Sequence, residues 1–434
     1  MDGKKSASVI AFIYGGYLMR YVYLIIVVPF YGRVLGVTEY GRVLAAMSLM
    51  NVIWMLVGYG FVVVGMREIS KARSDSECNA IFSLHVSARL ALGVIAGVIG
   101  VIATYCSPTL SERPMIGILA TLLGIVSALN LGWLFQGRHH FHTPVIIEVF
   151  GFALSLVLVL NLVKGPADSI FVIASLLIAN VTTQVISFCL ASFQIGVPRF
   201  SVKGIVSVVR DSTMLFCFSS GSVVVTAGST YLLTLLSTRE QVGYFGAAER
   251  FATVALGLMA PVSQVFVPLI TRQLAHGDHA GAQRTTRRGA MLLFGYGLVA
   301  LCGALTLSPF VLPLILGQSF VPSSHVLQAF AWMFPFAAFN QFAALYVFVP
   351  RKKDRLLAIA GLVSGLANIA CALILAPVFG AEGMAFARVI GEASLALALV
   401  IIMIRLELLS TLPGAGRMMA MARFGSSTRH GGDE

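Results

Sequence analysis

The sequence predicts an all-α integral membrane protein: about twelve transmembrane helices in two six-helix bundles around a central cavity. Three observations predict it. Apolar stretches long enough to span a bilayer as helix recur along the whole chain. Only 11% of the residues are charged and 58% are hydrophobic, where a soluble domain carries about 25% charged residues. The basic residues fall almost entirely in alternate gaps between the apolar stretches. Backbone in hydrocarbon must satisfy its own hydrogen bonds, so it spans as helix or as closed barrel. Barrel strands would be about half as long and would alternate apolar with polar, which these stretches do not.

The first stretch, 8–30, places Tyr14, Tyr17 and Tyr21 at i, i+3 and i+7, one helix face, and carries Arg20. It is too long for a signal peptide and lacks a small-residue cleavage site, so it is expected to persist in the mature chain. A Gly-containing turn precedes the second span, 40–65, and the third is 81–105. Pro114 and Pro144 sit just ahead of the spans 115–136 and 145–163, where a missing N–H costs nothing. The sixth span is 170–193, and a polar, basic linker, 194–211, follows it. The second set is 212–236, 246–269, 290–315, 326–349, 356–376 and 384–404. Pro29, Pro261 and Pro335 inside spans mark expected kinks. The resulting halves are 1–200 and 201–434, the second ending in a short cytoplasmic tail.

Lysine and arginine bias sets the orientation. With the N-terminus in the cytoplasm, 21 of the 30 basic residues lie on the cytoplasmic side. Arg33, Arg42, Arg113, Lys164 and Arg239 lie opposite. Arg20, Arg89, Arg250 and Arg388 lie within or at the edge of spans. Both termini are therefore expected inside. The same bias explains most of the net charge of +12, and no basic domain with stacking aromatics points to nucleic acid.

The gaps leave no room for a soluble catalytic domain, and the outer ones, 106–114, 164–169 and 237–245, are poor in charge. No Walker loop or nucleophilic triad is visible, so neither an enzyme nor a cofactor is expected. His139, His140 and His142 share one short loop without ligands from a second element, so no metal site is expected. The six cysteines are scattered without a CxxC pair and read as small buried hydrophobes.

The halves echo each other. Leu35-Gly36-Val37-Thr38-Glu39-Tyr40-Gly41 precedes the second span, and Leu236-Ser237-Thr238-Arg239-Glu240 with Gly243-Tyr244 precedes the eighth. Each of those spans ends at a helix breaker with an Ala-x-x-Asp tail, Ala72 to Asp75 and Ala275 to Asp278. Two like bundles would surround a midplane site and rock about it.

Leu131-Gly132-Trp133-Leu134-Phe135-Gln136-Gly137, at the end of the fourth span, resembles the Trp-x-Phe-Gln-Gly signature of the bacterial polysaccharide flippases, the O-unit and exopolysaccharide-repeat translocases. Val242 to Arg250, Pro261 to Pro268, Leu316 to Ser324 and Pro377 to Gly383 resemble later parts of that family, in order, over roughly 8–405. The resemblance implies membership of the multidrug/oligosaccharidyl-lipid/polysaccharide exporter superfamily, with two bundles forming a V in the bacterial inner membrane. It implies a cargo, undecaprenyl-pyrophosphate-linked oligosaccharide, moved from the cytoplasmic to the periplasmic leaflet for O-antigen or exopolysaccharide assembly. It also implies a downstream polymerase and chain-length machinery as partners.

An ionisable residue inside a span is a functional candidate by default. Arginine suits a pyrophosphate because its planar fork donates two parallel hydrogen bonds and stays charged. The candidate cargo contacts are therefore Arg20, Arg89, Arg250 and Arg388, with the Tyr14, Tyr17 and Tyr21 face as a stacking surface. The related lipid II flippases use arginines in places comparable to Arg20 and Arg250, although their local motifs are absent here. Structural readings stand beside these: Arg388 and Glu392 are four apart on one helix, and Arg20 could snorkel. The competing function is a cation-coupled small-molecule or drug antiporter of the same superfamily, which requires acidic residues in the cavity.

Overall fold

The computed structural model describes the backbone of residues 3–351 and 353–406, with side chains for these except 3–18, 20, 21, 217–226 and 354. Helix dominates, and no strand occurs among the described residues. The first element, α1 (Gly3–Gly58), is two helices in succession, because Gly36 takes φ 69° and ψ 176°. That conformation is open essentially to glycine alone, and it makes the turn between the first two expected spans.

Eight helices follow: α2 (Phe61–Ile69), α3 (Asp75–Cys106), α4 (Pro108–Ser111), α5 (Pro114–Ala128), α6 (Gly132–Gly137), α7 (His142–Leu162), α8 (Ser169–Ile195) and α9 (Ile205–Leu236). Then come α10 (Arg239–Gly257), α11 (Ala260–Ala275), α12 (His279–Leu316), α13 (Val321–Ala331), α14 (Met333–Phe342) and α15 (Asp354–Arg405). The last is also broken, at Gly380, with φ 57° and ψ −127°.

Local chemistry sets several ends. Ser74 caps α3 by accepting from the Glu77 amide at 3.2 Å, and the Glu77 carboxylate accepts from the Arg73 amide at 2.7 Å. These bonds satisfy donors that a helix start leaves open. Pro114 is the first residue of α5, and Asp168 ties down the Lys164 and Gly165 amides at 3.0 and 3.1 Å before α8.

This is a multi-pass helical membrane protein. Nine segments among the described residues are long and apolar enough to cross a membrane. Two of them, Val22–Gly58 and Arg355–Arg405, contain the Gly36 and Gly380 breaks, and a shorter apolar helix, Ala227–Leu236, ends α9. Splitting the two broken segments and adding that shorter helix brings the described segments close to the expected dozen. The expected span 326–349 is composite: it is assembled from α13, α14 and a π-helical stretch, Ala343–Phe348.

The chain divides into two compact units: residues 1–246 with 312–322, and residues 247–311 with 323–434. In the first, α1 packs against α3, α5, α7, α8 and α9. Lipid tails are as apolar as leucine, so helices in a membrane associate through close packing of small residues. Gly100 of α3 lies on Thr121 of α5, and Gly117 of α5 lies on Thr104 of α3, a reciprocal contact that would not admit a Cβ. Val94, Ile95, Val98, Ile99 and Ile102 are exposed on α3, a stripe suited to acyl chains. In the second unit the core gathers Leu293, Phe342, Tyr346, Leu399 and Met403.

Candidate functional site

Arg89 lies about 20 Å along α3 from its start, and it is 0% exposed. Its Nη1 donates to the Asn130 carbonyl at 3.2 Å. Its guanidinium carbon is 5.2 Å from the Trp133 ring centroid and 5.9 Å from that of Phe61, within cation–π range. Nε and Nη2, the two donors of one fork edge, have no hydrogen-bond partner among the described residues. One turn earlier on the same helix, His85 Nε2 lies 2.8 Å from Glu68 Oε2 of α2. The His85 ring is 5.0 Å from Trp133 and stands edge-on to Phe61 at 5.6 Å.

The Trp-x-Phe-Gln-Gly segment is the means of construction. It folds as α6, burying Trp133, Leu134 and Phe135. A Cβ added at Gly137 would lie 2.8 Å from Ile69 Cγ2, so this glycine lets α6 press onto α2. On α2 a Cβ at Gly65 would lie 2.6 Å from Trp133 Cε3 and 3.2 Å from His85 Cε1. Two glycines therefore admit the indole that covers Arg89. Asn130 accepts from the Gly132 amide at 2.7 Å through its side chain, a local turn that fixes the carbonyl facing Arg89.

At the other end of the first unit, a second arginine is buried but paired. Arg42 is 2% exposed, bonds Glu39 through Nη1 and Glu112 through Nη2 at 2.9 Å, and donates from Nε to the Thr109 carbonyl at 3.3 Å. Glu39 accepts also from Ser169 at 2.6 Å and lies 3.6 Å from Arg113. Glu112 pairs with Arg239 as well. Thr38 donates to Glu240 at 3.2 Å. The two echoed turns interlock: Gly41 sits on the Arg239 carbonyl, and Gly243 sits reciprocally on the Val37 carbonyl. Arg33 closes the same region by donating to the Leu314 and Ile315 carbonyls at 2.6 and 3.1 Å.

In the second unit, Arg250 is half-buried in α10 and Arg388 is 6% exposed in α15. Both interact with neighbouring groups. Glu392, one turn beyond Arg388, accepts from Asn340 Nδ2 at 2.7 Å. Ser263, Gln264, Val267 and Pro268 line a groove of about 530 Å³ with Gln341 and Leu345. Gln341 is held there by donating to Ser263 Oγ at 2.7 Å and to the Met259 carbonyl at 3.0 Å. The groove borders the π-helical stretch, a form frequent at functional sites.

Of the sequence candidates, Arg89 thus belongs to the first unit, and Arg250 and Arg388 to the second. The side chains of Arg20, Tyr14, Tyr17 and Tyr21 lie outside the described residues. Sequence reasoning missed Phe61, Glu68 and His85. The i, i+4 spacing of His85 and Arg89 on one helix face was the available signal for the last.

Comparison with known proteins follows this geometry. The sequence profile of the family described as "Polysaccharide biosynthesis protein" matches residues 3–273. The "Putative O-antigen transporter" of Shigella dysenteriae is 23% identical over 397 residues, 91% of this chain and 98% of that protein. Its namesake in Escherichia coli (strain K12) is 23% identical over 263 residues, 59% of this chain and 62% of that one. Among solved structures, a lipid II flippase MurJ in an inward closed conformation matches with a TM-score of 0.69 at 15% identity, covering 90% of this chain and 87% of that one. An inward-facing multidrug resistance MATE family transporter of the MOP superfamily matches with a TM-score of 0.66 at 12% identity, covering 89% and 98%. The fold is shared with these transporters.

Proposed function

The chain belongs to the polysaccharide biosynthesis protein family, and from that premise we propose that it is a lipid-linked oligosaccharide flippase. Its cargo is an undecaprenyl-pyrophosphate-linked repeat unit, moved from the cytoplasmic to the periplasmic leaflet of the bacterial inner membrane. The protein works by alternating access between the halves 1–200 and 201–434, with both termini in the cytoplasm. The O-antigen transporter relatives, similar along nearly their whole length in the Shigella case, support the substrate class.

The observation that carries the chemistry is Arg89. A guanidinium held inside the spans by two aromatic faces and one carbonyl, with its Nε/Nη2 edge unbonded, offers a fork for two oxygens of a pyrophosphate. Phe61, the second ring over Arg89, belongs to α2, which is joined to α1 through Tyr59 and Gly60, both left-handed at φ 40° and 74°, a local hinge for withdrawing that ring. Arg250 and Arg388, in the second unit, are further candidate cargo contacts. The amide-lined groove around Gln264 and Gln341 suits sugar hydroxyls.

The test is leaflet assignment of the pyrophosphate-linked oligosaccharide in cells lacking the protein, complemented with wild type, Arg89→Met or Arg89→Lys. The reading requires trapping on the cytoplasmic side without the protein and failed rescue by Arg89→Met despite normal insertion. Unaffected translocation in a strain without a redundant flippase rejects it. One observation favours the second reading, a cation-coupled antiporter: Glu392 in a span, hydrogen-bonded by Asn340. That reading requires Glu392→Gln to abolish sodium- or proton-driven export of a small cation while the oligosaccharide still crosses.

A further inference from the structure

We propose that the linker after α8 builds a binding site for an anionic, phosphate-bearing lipid headgroup. Residues 196–204 carry no helix. They run along α3, fastened by its polar stripe. Asn79 Nδ2 donates to the Val197 carbonyl at 3.2 Å. Ser83 Oγ accepts from the Arg199 amide at 2.9 Å, and Ser87 Oγ from the Ser201 amide at 3.1 Å. Every second linker residue meets every fourth helix residue. The match is geometric, since two extended residues advance about 6.6 Å and four helical residues about 6.0 Å.

Between strap and helix lies a groove of about 800 Å³ whose polar lining includes Ser76, Asn79, Arg199, Ser201 and Lys203. Among the described residues, no carboxylate lines it. The two nearest in sequence are engaged elsewhere, Asp75 with Arg138 at 3.0 Å and Glu77 with the Arg73 amide at 2.7 Å. The Arg199 and Lys203 side chains form no hydrogen bond or ion pair among the described residues. A guanidinium, an ammonium and hydroxyls facing one groove are a donor set for phosphate oxygens.

The exposed flank says what kind of phosphate. Phe193 is 89% exposed, Phe200 66% and Val202 71%. Phe193 closes the last turns of α8, and Phe200 and Val202 lie beyond it beside the unpaired cations; apolar side chains and cations together just past a span are the signature of a segment lying at the headgroup boundary. The phosphate therefore arrives on a lipid. Two lipids carry that chemistry, an anionic phospholipid of the bilayer and a polyprenyl pyrophosphate. The site does not depend on the flippase reading.

The test is native mass spectrometry of the purified full-length protein titrated with phosphatidylglycerol, phosphatidylcholine, undecaprenyl pyrophosphate or inorganic phosphate. The variants are Arg199→Gln/Lys203→Gln, Ser76→Phe, which fills the groove and leaves the cations, and Arg210→Gln, an exposed cation outside it. Binding of the anionic lipid weakens about thirtyfold in the double variant, about fivefold per cation lost. Ser76→Phe shows a similar loss, and Arg210→Gln none. Loss of phosphatidylglycerol identifies the bilayer as the source, and loss of undecaprenyl pyrophosphate alone identifies the polyprenyl lipid. Equal retention of phosphatidylcholine, binding unchanged in both groove variants, or uptake of inorganic phosphate without any lipid preference overturns the proposal.

Discussion

Two arginines of the first unit are equally hidden and oppositely partnered. Arg42 is 2% exposed and meets Glu39, Glu112 and the Thr109 carbonyl. Arg89 is 0% exposed and meets one carbonyl and two ring faces. Burying a charge is costly unless it is paired and hydrogen-bonded. Arg42 satisfies that condition and serves as a fastener among four loops. Arg89 meets it only in part, so part of its cost to the fold is unrelieved, and in the proposed function its open edge is what the cargo takes up. Burial alone does not separate a structural charge from a working one. Partner count does.

The largest effect on stability is expected from Arg42→Ala. It strands Glu39, which among the described residues keeps Ser169 and the more distant Arg113. Removing one member of a buried pair costs about 3–5 kcal/mol, measured as loss of thermal stability in detergent. Glu39→Gln added to Arg42→Ala recovers part of that loss, because the stranded charge is gone. An unaltered melting profile in Arg42→Ala breaks the comparison.

Arg89→Met is expected to do the reverse. Replacing an incompletely satisfied buried charge with an apolar side chain of similar length is neutral or stabilising by about 1–4 kcal/mol. Translocation falls to the level of the deletion strain all the same. Should Arg89→Met unfold the protein as Arg42→Ala does, the ring faces and the Asn130 carbonyl satisfy the cation, and Arg89 is structural too.

The fold was largely legible. Gly36 and Gly380 stand in gaps the apolar pattern marked as turns, and each takes a backbone angle that suits glycine. Arg89 was legible as an ionisable residue within a span. Its surroundings were not, because Glu68, His85 and Trp133 come from three helices and meet only through close packing. Trp133 was visible as a motif without a mechanism, and the structure supplies one: it covers Arg89. The clasp was illegible for a similar reason. Read from the sequence, Arg42, Arg113 and Arg239 are external loop charges, and the pairs Arg42–Glu112, Arg113–Glu39 and Arg239–Glu112 depend on loops about 70 to 130 residues apart meeting.

Gly65→Ala sharpens the Arg89 side of the contrast. Its new Cβ would lie 2.6 Å from Trp133 Cε3. Overpacking of this kind costs about 1–3 kcal/mol. Because the clash is with the indole, Gly65→Ala combined with Trp133→Phe is expected to be less than additive. Additive losses in the double variant would mean that Trp133 is not what requires glycine there.

The smallest effect is expected from Arg239→Gln, which tests whether the Arg42 clasp is one network or a pair with attachments. Arg239 bonds Glu112, whose side chain is 48% exposed and which also holds Arg42 at 2.9 Å. Exposed pairs contribute about 0–1 kcal/mol and are screened by salt. After the change, Glu112 keeps Arg42, and Glu39 keeps its own contacts. The melting temperature should therefore move little, and the difference from wild type should shrink as salt rises. If Arg239→Gln instead approaches the cost of Arg42→Ala and resists salt, the clasp acts cooperatively, and the interlocked Gly41 and Gly243 turns depend on the charges rather than on the fit of two glycines.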